Sequence, residues 1–129
     1  MPLVTLTVHQ SLPTAQRRQW LDAIHQALVA VGVPPADRFQ RVFALAPDDL
    51  VVDAHYPEPP GSPNARDHRF VLAEVLWSVG RSVKLKRQFL QQLNDRLRES
   101  GLEPEQLMLV FKETAWENWS FAGARLLHA

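Results

Sequence analysis

The run Leu3 to Val8 repeats apolar positions with a period of two, Leu and Val parting from Thr along some of it, and predicts a first strand. His9-Gln10-Ser11 and Pro13 end that run. From Thr14 to Val31 the spacing changes: Trp20, Ile24, Ala27, Leu28 and Val31 recur at three- and four-residue steps and line one face of a helix. Gly32 and Pro34-Pro35 stop it. Arg38 to Ala46, rich in aromatic and branched residues, predicts a second strand. The stretch 54–67 holds four prolines and a glycine among turn formers and reads as a linker. Beyond it Phe70 to Val79 predicts a third strand. Ser82 then caps a second helix with Phe89, Leu90, Leu93 and Leu97 on one face. Gly101 ends that helix, Pro104 follows, and Gln106 to Glu113 predicts a fourth strand.

The two halves are a repeat. A shift of ~69 residues, the self-comparison any chain invites, sets Arg18-Gln19-Trp20-Leu21 on Arg87-Gln88-Phe89-Leu90. It also pairs Leu28 with Leu97, Gly32 with Gly101, Pro35 with Pro104 and Ala46 with Ala115. Each half reads as a β-α-β unit, residues 1–53 and 68–129, because parallel strands require a crossover and the helix supplies it. The expectation is one α/β domain over 1–129 with a four-stranded mixed sheet and two helices on one face. The opposite face of that sheet is left uncovered and asks for a partner.

Composition narrows the class. The 129 residues suit a single domain able to bury a sizeable core. Cysteine is absent, which removes disulfides and thiolate catalysis and suits a reducing compartment. Fourteen basic and fourteen acidic residues balance to a net charge of +0, so no overall field draws the chain to nucleic acid or an anionic membrane. No apolar stretch approaches the ~20 residues of a membrane span. A soluble, cytoplasmic protein is the expectation.

Candidate chemistry begins at Met1-Pro2. Proline is harmless as a strand's first residue, so an ordinary second residue is one reading. The other is chemical: with Met1 trimmed, Pro2 becomes a free secondary amine that titrates near neutrality and serves as base or acid. Arg81, in the turn Gly80-Arg81-Ser82, is either a surface arginine or a two-pronged carboxylate contact beside a helix start. Asp37 reads as a turn aspartate paired with Arg38, or as an acid of the site. Trp119 and Phe121 are core aromatics or the apolar wall of a pocket. His9, His25, His55, His68 and His128 show no ligand spacing, and no phosphate loop or nucleophile elbow occurs. Neither metal nor cofactor is implied.

Four segments in order resemble the tautomerase superfamily, in its fused two-unit branch that includes malonate semialdehyde decarboxylase. They are Met1-Pro2-Leu3, the segment from Gly32 to Gln40, Gly80-Arg81-Ser82, and Glu117-Asn118-Trp119-Ser120-Phe121. The resemblance spans essentially the whole chain. It implies Pro2 as the catalytic amine, Asp37 as a polarising or tuning acid, and Arg81 as the carboxylate contact. It further implies Arg125 as a second cationic contact, no cofactor, and a homotrimer that buries the open sheet face. One departure matters. The decarboxylases carry two arginines separated by one residue at the strand end, and Val79 stands at the first position here. The expected activity is therefore cofactor-independent tautomerisation of a small 2-oxo acid. A malonate semialdehyde decarboxylase or hydratase-like lyase and a non-catalytic ferredoxin-like binding module are the alternatives.

Overall fold

The computed structural model describes residues 1–127, so His128 lies outside the described residues. Its principal strands are β1 (Pro2–His9), β2 (Phe39–Leu45), β3 (Val71–Ser78) and β4 (Leu107–Thr114), and its helices are α1 (Thr14–Ala30) and α2 (Val83–Glu99). The sheet order is β2-β1-β3-β4. β1 runs parallel to β2 and β3 parallel to β4, while β1 and β3 pair antiparallel with Pro2 opposite Trp77. This is the expected mixed sheet. A short hairpin of β5 (Ser120–Phe121) and β6 (Arg125–Leu126), which periodicity did not reveal, closes the C-terminal segment.

The repeat carries over to the coordinates. The same shift of ~69 residues lays β1 on β3 and α1 on α2 end for end, and sets the 3-10 turn Pro47–Asp49 on the turn Trp116–Asn118. The helix starts differ between the halves. Ser82 Oγ accepts the Leu85 amide at 3.1 Å and caps α2 as expected. At the head of α1, where Pro13 offers no such cap, Arg17 instead donates to the carbonyls of Leu12 and Gln10.

The core lies between the sheet and both helices. Val4, Leu6 and Val8 of β1, Val71, Ala73, Val75 and Trp77 of β3, Trp20, Ile24 and Leu28 of α1, and Phe89, Leu93 and Leu97 of α2 are all buried there. The apolar face of β1 is thus its even positions, Pro2 among them, while Leu3 joins Thr5 and Thr7 on the far side. On that far face Phe39, Phe43 and Met108 are 45%, 49% and 51% exposed, flanking a polar row of Arg41, Thr5, Glu74 and Lys112. No helix among the described residues is long and apolar enough to cross a membrane.

Candidate active site

At one end of the sheet, the start of β1, the end of α1, the start of β2 and the turn from β3 into α2 surround a cavity of about 580 Å³. Its walls are mostly apolar, from Val31, Val33, Phe39, Trp77, Leu85, Trp116 and Phe121. Three charged groups reach it: the chain's terminal amine, Asp37 and Arg81.

The amine of Met1 lies 3.6 Å from Asp37 Oδ2, and both residues are largely shielded from solvent. Burial pushes this amine below its ordinary value, Asp37 draws it back up, and Arg81 pushes it down again. Pro2 follows as the first residue of β1, buried and paired with Trp77 of β3; it is Met1, and not Pro2, that lines the cavity.

Asp37 is not paired with Arg38. Arg38 turns away to Asp22 of α1 at 2.5 Å and to Gln40 Oε1 at 2.8 Å, and Gln40 in turn donates to the Leu21 carbonyl. The loop is thereby fastened to α1, and the neighbouring carboxylate is left to the cavity. Asp37 Oδ1 is buried without a hydrogen-bond partner. An acceptor left so is costly unless something donates to it, which marks it as a place for a ligand hydroxyl, water or proton.

Arg81 enters from the turn that follows Gly80, whose φ of +111° is left-handed backbone that suits glycine. Its guanidinium donates to the Ser78 carbonyl and sits over two indoles, 4.8 Å from the Trp77 ring and 5.6 Å from the Trp116 ring. Burial lowers its pKa, with Glu113 and Asp37 acting in the opposite sense. The group stays cationic, as guanidinium does in proteins.

The remaining candidates divide. Phe121 lines the cavity and leans on Phe39 with ring centres 5.9 Å apart. Trp119 does not line it; its Nε1 donates at 2.9 Å to Oγ of Ser78, the residue whose carbonyl Arg81 uses. Arg125 is exposed in the hairpin, donates to the Ala122 carbonyl at 2.9 Å, and does not line the cavity. Sequence reasoning passed over Trp77 and Trp116. Trp77 alternates with Val75 and Ala73 as any core strand residue does, and Trp116 is brought in only by the fold-back of the C-terminal segment.

The other half holds a reduced counterpart. Under the repeat, Gly32, Val33, Asp37, Arg81 and Leu85 become Gly101, Leu102, Gln106, Leu12 and Gln16, and these five line a cavity of about 150 Å³. Pro2 becomes Val71, buried in mid-chain. Gln106 accepts from the Asp67 amide and donates to the Ala65 carbonyl, and Arg69 is tied to Asp67 and Glu103. The polar groups at this end satisfy one another.

A family model described as "Tautomerase enzyme" matches residues 37–122. Among solved structures, a malonate semialdehyde decarboxylase studied as wild type, mutant and inactivated forms is 31% identical, over 96% of this chain and 93% of that one, with a TM-score of 0.81. The FG41 malonate semialdehyde decarboxylase inhibited by 3-bromopropiolate is 26% identical over 96% and 92%, with a TM-score of 0.82. A fused 4-OT described as a symmetric trimer shares the fold at 21% identity over 96% and 94%, with a TM-score of 0.71. No curated protein sequence matches at comparable significance.

Proposed function

The chain belongs to the tautomerase family, and on that premise we propose that it is a cofactor-independent tautomerase of small 2-oxo acids with Pro2 as its catalytic amine. The observation that carries the reading is the meeting of a shielded terminal amine, Asp37 and Arg81 in one apolar-walled cavity. With Met1 removed, the amine at this edge is that of Pro2. Burial favours its neutral form, so it accepts the enol O–H proton of a bound 2-oxo acid and returns it to C3 as the carbonyl forms. Arg81 holds the substrate carboxylate, Asp37 faces the developing charge and the amine, and Phe121 with Trp116 walls the substituent.

Decarboxylation of malonate semialdehyde is the second reading, favoured by the likeness to two such decarboxylases. Against it stand Val79, 40% exposed and outside the cavity, and Arg125, which does not line it. A single cation suits a carboxylate that stays bound better than one that must leave as carbon dioxide. The chain is further proposed to form a homotrimer through the sheet face bearing Phe39, Phe43 and Met108, a reading supported by the trimeric fused 4-OT of the same fold.

The test measures enol-to-keto conversion of phenylpyruvate and loss of carbon dioxide from malonate semialdehyde, together with the intact mass of protein from its native host. Expected are a mass lacking methionine, measurable tautomerisation, partial activity in Pro2→Ala, and none when the amine is acylated. Full activity in protein that retains methionine would sink the proposal.

A further inference from the structure

Arg81 is the cationic side chain of the cavity, yet among the described residues no carboxylate lies within ion-pair distance of it. What holds it is aromatic. One of its nitrogens is committed to the Ser78 carbonyl, and the guanidinium lies over Trp77 on one side at 4.8 Å and Trp116 on another at 5.6 Å. Such contacts attract the cation to the negative ring faces without using its N–H donors, which an ion pair would consume. A half-buried guanidinium thereby keeps both its charge and its free donors, and its side chain is fixed before ligand arrives. The two rings differ in kind. Trp77 is fully buried, stacks on Phe111 at 5.0 Å and belongs to the core, whereas Trp116 is 37% exposed on a 3-10 turn and lines the cavity.

We propose that Trp116 is a positioning residue: it holds the Arg81 guanidinium against Trp77 in the attitude that receives a carboxylate. This rests on Arg81 being the carboxylate contact. Trp116 is contributed by the 3-10 turn that follows β4, so the side chain that steadies Arg81 comes from outside the turn that bears it.

The probe is phenylacetate, a carboxylate with an aryl group and no enolisable ketone, titrated into the full chain and followed by NMR, with thermal unfolding as a control for folding. Trp116→Leu is expected to weaken phenylacetate about tenfold, within the range a desolvated cation–π contact supplies, while Trp116→Phe restores most of it. In the Arg81→Ala background the same Trp116→Leu change should cost about twofold or less, because a residue acting through Arg81 has little left to act on. Equal binding by wild type and Trp116→Leu, with Arg81→Ala much weaker, overturns this inference and leaves the carboxylate role of Arg81 standing. An equal Trp116→Leu loss in both backgrounds overturns it too, since the ring would then act on ligand alone. Phenylacetate binding that ignores Arg81→Ala overturns the reading beneath it.

Discussion

Replacing Ser78 by alanine tests the joint between the sheet and the C-terminal segment. Ser78 is the last residue of β3 and fully buried, and its Oγ accepts the Trp119 indole N–H at 2.9 Å. The substitution leaves β3 and the backbone carbonyl that Arg81 uses, and removes the acceptor alone. Loss of one hydrogen bond costs about 1 kcal/mol, and an indole N–H left half-buried adds to it, so about 1–2 kcal/mol is expected. For a chain of this size each kcal/mol lowers Tm by about 3–6 °C. Thermal unfolding followed by circular dichroism should therefore show a fall of roughly 3–12 °C, at fixed protein concentration because an oligomer's Tm depends on it. Trp119→Phe removes the donor instead, and the double variant should recover about 1 kcal/mol of non-additivity. Because Arg81 bonds the backbone of Ser78, the substrate KM should stay within about threefold of wild type. A Tm unchanged within about 1 °C, or strictly additive variants, would refute the reasoning.

The acid limb of the pH–rate profile follows the terminal amine, whose neutral form is the base. Asp37 raises and Arg81 lowers the pKa of the Met1 amine. The Pro2 amine exposed by trimming is expected to feel the same two charges in the same senses, so Asp37→Asn should move the limb to lower pH and Arg81→Ala to higher pH; steady-state rates across pH 5–9 check both. Phe43→Glu sets a charge on the exposed sheet face and should convert the proposed trimer to a monomer of 14.7 kDa in sedimentation, while a wild type that is itself monomeric at micromolar concentration would contradict the trimer. Arg125→Ala should leave both tautomerisation and decarboxylation rates within about twofold, and decarboxylation lost on that change would show the hairpin swinging its guanidinium into the cavity.

The order of elements was legible because each is signalled locally. Alternation in the first strand and runs of branched and aromatic residues between turn signals set the strands to within a residue or two, Ser82 announced the cap of α2, and Gly32 and Gly101 stand at matching left-handed ends of the two helices. The repeat was legible for the same reason, helix phase being a property of spacing. The residues of the candidate site were legible only where they stand at element ends: the start of β1, the loop bearing Asp37, the turn bearing Arg81. Arg38 satisfies itself across 16 residues with Asp22, a choice that no neighbour in sequence betrays. Trp116 and Trp119 stand three residues apart, the first just ahead of the Glu117–Phe121 motif and the second within it, yet the fold sends one to the cavity and the other to the hydroxyl of Ser78. That division depends on a 3-10 turn and a hairpin, each too short to leave a periodic trace.

The smaller cavity at the opposite end of the sheet carries a consequence for how such a chain can change. Every side chain that distinguishes the two ends is reachable by substitution, Leu12 to an arginine or Gln106 to an acid. The amine is not. Where the first half begins the chain, the second half has Val71 joined to Phe70, and a nitrogen in mid-chain is an amide whatever residue follows it. A unit that follows another in one chain therefore has no free amine at this place, and only a cut before Val71 would give it one. To the cavity that holds the terminal amine the second half contributes Arg81 with the aromatic residues that surround it.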